Sequence, residues 1–154
     1  GADLAAPAPF DASRTLGNAL LTPTRIYVRP LLAVLRQFTD ILALAHITGG
    51  GLTENLPRVL PRGVTARIDL ESLPGAPVFG WLKNAGNIAT PEMLRTFNCG
   101  IGMVLVVKPE VAEQVAQALT DQGEEPVMIG ELTPAKSDDA KPVVDYSGTP
   151  AWAS

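Results

Sequence analysis

The sequence predicts an α+β domain, a mixed β-sheet with helices packed on it. Three features carry that prediction. Short apolar runs, Ile41-Leu42-Ala43-Leu44-Ala45 and Met103-Val104-Leu105-Val106-Val107, have the length and composition of buried strands. Amphipathic segments at helical spacing, above all Pro109 to Gly123, lie among them. The two kinds do not alternate in strict strand–helix–strand order, and no internal repeat is visible.

At 154 residues the chain has the length of one domain, enough to bury roughly two-thirds of its extended surface. Hydrophobic residues make up 46% and charged residues 18%, a globular composition rather than a disordered one. A net charge of −4 without a Lys/Arg cluster argues against nucleic-acid binding. Cys99 is the single cysteine and His46 the single histidine, so neither a disulfide nor a soft metal site is expected. No apolar run approaches the roughly 20 residues that span a membrane. No basic segment precedes an apolar core at the start, so the expected location is the cytoplasm.

Residues 1–20 begin rich in alanine and proline and are expected as an irregular arm, with Asp11 to Leu20 open. The domain proper is expected over 21–146. Leu21-Thr22-Pro23-Thr24-Arg25 is a turn, because Pro23 biases Thr22 toward an extended backbone. Ile26, Val28, Leu31, Leu32, Leu35 and Phe38 then space a helix to about Gln37, with Pro30 tolerated in its first turns. Val64 to Asp69 alternates apolar and polar residues like a half-buried strand. Val78, Phe79, Trp81 and Leu82 begin a short helix that ends by Gly86. Thr90-Pro91-Glu92 reads as a helix start with Thr90 as its N-cap.

Met103–Val107 is apolar on both faces, which predicts a central strand. Pro126 to Leu132 reads as a further strand, Ser137 to Lys141 as a hairpin loop, and Pro142 to Tyr146 as an edge strand. Residues 147–154 are expected to fray.

The organising stretch is His46-Ile47-Thr48-Gly49-Gly50-Gly51, followed by Leu52, Leu56, Val59 and Leu60 at helical spacing. Three glycines therefore stand where a strand hands over to a helix. Glycine admits positive φ and close approach of a ligand to the backbone, and the first helical N–H groups suit an anion. Thr48 and His46 stand at the strand's carboxyl end, where open α/β sheets bind ligands. The plain alternative is a tight turn with no ligand.

A second candidate segment is Arg95-Thr96-Phe97-Asn98-Cys99-Gly100-Ile101-Gly102. Arg95 offers a bidentate phosphate contact and Asn98 both a donor and an acceptor. The alternative gives Asn98 a capping role and Gly100 and Gly102 a packing role. Cys99 reads as a buried thiol, since no spacing brings His46 to it as a base. His46 itself is the one candidate general base, equally readable as a ligand contact or a satisfied core residue.

Four ordered blocks resemble a known family. They are Thr22–Val28, His46–Gly51, Glu54–Pro61 and Met93–Met103, within a resemblance running from about Leu20 to Leu132. Together they resemble the aminoimidazole ribonucleotide synthetases (phosphoribosylformylglycinamidine cyclo-ligases), the ATP-dependent ring-closing enzymes of purine biosynthesis. The glycine triplet alone also fits relatives such as thiamine-monophosphate kinases and selenophosphate synthetases.

The resemblance implies a carboxyl-terminal domain of α+β type with a mixed sheet. It implies that the family's amino-terminal domain, which supplies most ATP contacts and much of a homodimer interface, is absent from this sequence. The family's Ser-Asn-Gly segment upstream of the Thr22 block is absent too. ATP and Mg serve the full-length enzyme, formylglycinamidine ribonucleotide is its substrate, and neither cofactor is expected on this chain alone. In that scheme the Gly49–Gly51 turn holds a phosphate, Thr48, Arg95 and Asn98 line the cleft, and His46 orients substrate. The competing expectations are a non-catalytic phosphate-binding or assembly module and a related ATP-using enzyme.

Overall fold

A computed structural model describes residues 2–153. The chain is α+β, as expected, but its strands form three small ladders instead of one sheet. Strands β1 (Pro7–Ala8) and β2 (Asp11–Thr15) make a hairpin followed by helix α1 (Leu16–Leu20). Helix α2 covers Val28–Leu35. Strand β3 (Ile41–His46) pairs antiparallel with β5 (Met103–Val107). Strand β4 (Val64–Asp69) has β6 (Gly130–Pro134) antiparallel on one side and β7 (Val143–Ser147) parallel on the other, so that ladder is mixed. Helices α3 (Gly51–Asn55), α4 (Pro77–Gly86), α5 (Thr90–Thr96) and α6 (Ala112–Asp121) complete the order.

Two apolar clusters hold these pieces. The larger draws Ile47, Leu52, Leu56, Ala66, Ile68, Met93 and Leu94 together with Trp152. The smaller is Val34 of α2 with Val115 and Leu119 of α6. Strand β5 sits between the two: Val104 and Val106 pack on the larger, Leu105 and Val107 on the smaller. That is why it is apolar on both faces, although it pairs with β3 alone among the described residues and is not central. Burial by two clusters and burial between two strands leave the same sequence pattern.

Several local expectations are corrected. Residues 1–20 are not simply irregular, since they carry the β1–β2 hairpin and α1, with Ala8 and Leu16 buried. The tail does not fray from Ser147: that residue ends β7, and Trp152 is buried against Phe79. The loop after β6 is no hairpin, because β6 and β7 flank β4 on opposite sides. Arg62 anchors it by donating from Nη1 to the Asp139 carbonyl at 2.7 Å. The strand expected over 126–132 starts only at Gly130, leaving Val127 and Met128 exposed. Helix α2 starts at Val28, and Ile26, Val28, Leu32 and Leu35 lie exposed on the surface. Thr90 is the first helical residue of α5 and Ala89 its cap.

Candidate functional site

The site is built from the end of β3. Ile47 donates its N–H to the Gly102 carbonyl at 2.9 Å, prolonging the β3–β5 ladder and bringing the glycine turn beside Gly102. The chain then reverses through Gly50 and Gly51, whose φ angles of 103° and 56° fall in the left-handed region. A Cβ on Gly51 would lie 2.0 Å from the Leu94 carbonyl oxygen and 2.7 Å from that of Phe97. So Gly51 is glycine to let α3 meet the end of α5, not to admit a ligand. Gly49 differs, because nothing lies within 4 Å of a Cβ placed there.

Asn55 fixes the turn from below. It is buried, and its amide nitrogen donates to the carbonyls of Gly51 (2.8 Å) and Gly49 (3.2 Å), with a longer contact to that of Thr48 (3.5 Å). With those carbonyls turned to Asn55, the amides of Gly49 and Gly50 take no protein acceptor among the described residues. The Gly51 amide is taken by the Thr48 carbonyl at 3.0 Å.

Across from this turn stands the loop after α1. Its Tyr27 hydroxyl occupies the place a Gly102 side chain would need, and its ring meets His46 edge-on at 6.3 Å between centroids. Arg25 ties the loop to the end of α6: Nε donates to Glu124 Oε2 at 2.7 Å and Nη2 to the Gly123 carbonyl at 2.5 Å. Arg14 adds a second tie, donating to Thr22 Oγ1 at 2.8 Å.

Between the two walls lies an open cleft of about 690 Å³. Three of the sequence blocks line it: Thr22, Thr24, Arg25 and Tyr27 from the first, His46, Thr48 and Gly49 from the second, Thr96, Phe97 and Asn98 from the fourth. The third, beginning at Glu54, supplies Asn55 from beneath. The lining contains hydroxyls, an amide, aromatic rings and one guanidinium, and no carboxylate.

Of the residues expected at a site, Thr48, Gly49, Asn98 and His46 come together here. Gly50 and Gly51 lie behind the lining in structural roles. Arg95 stands apart, its guanidinium 3.1 Å from Glu92 Oε2 on the exposed face of α5. Asn98 braces its own loop by accepting the Gly100 N–H on Oδ1 at 3.2 Å, which leaves its amide hydrogens for the cleft. Cys99 is buried, and that burial pushes its thiol up to about 12, so it is no nucleophile at neutral pH.

Arg25, Tyr27 and Asn55 are the residues that sequence reasoning passed over. Asn55 had a signal: it is an amide on the same face as Leu52 and Leu56, and a buried amide must find partners.

A family profile described as "AIR synthase related protein, C-terminal domain" matches residues 2–141. The chain belongs to that family. Among solved structures it is similar to the crystal structure of E. coli HypE, with 24% identity and a TM-score of 0.58. That match covers 86% of this chain and 41% of HypE, so the chain spans less than half the length of that protein. At this identity the likeness is one of fold. It extends the family assignment to the architecture, an AIR synthase related C-terminal domain with helices on small ladders, one of them mixed.

Proposed function

We propose that this chain is the carboxyl-terminal half of a phosphoribosylformylglycinamidine cyclo-ligase, the enzyme that closes the imidazole ring of aminoimidazole ribonucleotide. One observation carries the reading: blocks far apart in sequence that resemble that enzyme line a single cleft. The family assignment supports it at the level of the domain.

The cleft has the chemistry of a phosphate ester site. Thr48 Oγ1, the Gly49 amide and the Asn98 amide are polar groups gathered from two elements, with the Arg25 charge also on the lining. No carboxylate belongs to the lining itself, although Glu124 pairs with its Arg25. The cleft lining itself offers no carboxylate to a magnesium ion. In this reading the cleft takes the ribonucleotide, and no step is routed through the metal. In the parent reaction ATP would supply the phosphoryl group that activates the formyl oxygen. This chain's contribution is to bind the substrate's phosphate, orient the formylglycinamidine arm and keep it from water, which is positioning catalysis. His46, exposed beside Tyr27, would orient the substrate in this reading.

The test is to assay the longer parent protein for ATP-dependent formation of aminoimidazole ribonucleotide, with the isolated chain alongside. Ring closure by the parent and none by the isolated chain is expected. A parent that consumes ATP without closing the ring would assign this domain to a related ATP-using enzyme. A parent with neither activity would leave a binding or assembly module.

A further inference from the structure

Among the described residues Arg25 is the one charged side chain lining the cleft, His46 aside. Its guanidinium carries five N–H donors in a fixed plane. Two are occupied: Nε–H on Glu124, and one Nη2 hydrogen on the Gly123 carbonyl. Both lie on the same edge of the plane. Of the remaining three, one on Nη1 and one on Nη2 form the end fork, whose spacing matches two oxygens of a phosphate. Two polar contacts thus orient the side chain before any ligand arrives, which removes part of the ordering cost of binding. Glu124 sits on the neighbouring edge of the plane, so the fork itself is left to an anion.

We propose that Arg25, positioned by Glu124 and the Gly123 carbonyl, is the residue that binds the phosphate monoester of the substrate in this cleft. The proposal rests on reading the cleft as a ribonucleotide site and names the group that Arg25 meets there. A monoester fits better than a carboxylate. It presents three terminal oxygens, and the cleft offers polar groups from both walls: the Arg25 fork on one, and Thr48 with the Gly49 amide on the other.

The experiment is a titration of the purified chain with inorganic phosphate, ribose 5-phosphate and ribose, at constant ionic strength set with chloride. The signals followed are the Arg25 Nε–H and the Gly49 amide in two-dimensional NMR spectra. Saturable shifts at both with the two phosphates, and none with ribose, are expected. Arg25→Lys keeps the charge and loses the fork, so phosphate affinity should fall roughly tenfold or more. Arg25 is more than half exposed, so the fold tolerates that change.

Glu124→Ala separates positioning from charge. As a mere like charge Glu124 opposes phosphate, and its removal would tighten binding; as the group that holds the fork, its removal weakens binding severalfold. Weakening supports the proposal and tightening overturns the role given to Glu124. Unchanged affinity in Arg25→Lys, or phosphate shifts no different from those of chloride, overturns the proposal as a whole. These outcomes are independent of ring closure. A parent without cyclo-ligase activity whose chain binds phosphate through Arg25 refutes the enzyme reading and keeps the anion site.

Discussion

The two walls of the cleft are made in different ways. The glycine turn is set into packed material, with Gly51 against the Leu94 and Phe97 carbonyls, Asn55 beneath, and Leu52, Leu56 and Met93 almost fully buried behind. The facing loop, Thr22 to Tyr27, is mostly exposed and tied by polar contacts from Arg14 and Arg25. Helix α2, which follows it, is held by the small cluster of Val34, Val115 and Leu119 with partly buried neighbours. Steric packing allows one arrangement and resists change, whereas exposed polar ties exchange with water at small cost. One wall is therefore a fixed template and the other an adjustable arm. Binding geometry belongs to the first, adaptation to the ligand to the second.

The largest expected effect breaks the template. Gly51→Ala puts a methyl group 2.0 Å from a backbone oxygen and requires φ near 56°, so a destabilisation of about 3 kcal/mol or more is expected. Gly49→Ala, two residues away with open space around it, should cost less than about 0.5 kcal/mol. Urea unfolding of the two variants measures the difference directly. Equal costs would mean that the turn is not seated on α5.

Next come the clusters behind each wall. Met93 is fully buried in the larger, so Met93→Ala should cost about 2–5 kcal/mol. Val34, equally buried in the smaller, loses two methyl groups in Val34→Ala, worth about 1.5–2.5 kcal/mol with a modest cavity. Asn55→Ala strands the carbonyls it holds and should cost about 1–3 kcal/mol. It should also weaken phosphate binding, which neither core variant should do.

Cys99 gives a smaller, pH-dependent effect on the same template. Its buried thiol keeps in the folded state a proton that the unfolded chain releases above about 9. The stabilisation is fully present below that pH and is lost as pH rises toward about 12, by no more than about 1.4 kcal/mol per pH unit. Cys99→Ala should therefore show a shallower alkaline loss of stability than the parent chain. Native protein at pH 8 should resist iodoacetamide, and unfolded protein should not.

Sequence reading located the glycine turn, the segments that carry Thr48 and Asn98 to the cleft and the fold class because each leaves a local mark: positive φ at glycine, a side-chain amide, a hydrophobic period. It missed what depends on contacts between distant segments. Arg25 and Glu124 lie 99 residues apart, and nothing in either neighbourhood announces the pair. Strand β5 was misplaced at the centre of a sheet because two clusters can bury both faces of a strand as well as neighbouring strands can. The tail looked disposable because one tryptophan, Trp152, anchors it and one residue makes no period.

The smallest effect is expected where a site residue was first sought. Arg95 carries the same guanidinium as Arg25, and from sequence it had the better neighbourhood, beside Asn98 and the glycines. Its side chain instead pairs with Glu92 one helical turn back, at 3.1 Å, and both partners are about half exposed. Hydrogen bonds from Arg95, and then from Thr96, hold the Glu92 carboxyl below its usual range. Exposed pairs of this kind are screened by water and salt and contribute little. Arg95→Lys can keep the pair, so neither the melting temperature nor the phosphate affinity should change measurably. Arg25→Lys, the same chemical change on the adjustable wall, should weaken phosphate binding roughly tenfold. Comparing the two in one titration tests whether location in the cleft, rather than residue type, decides the role. A loss of affinity in Arg95→Lys matching that in Arg25→Lys would bring Arg95 back to the anion and refute the division drawn here.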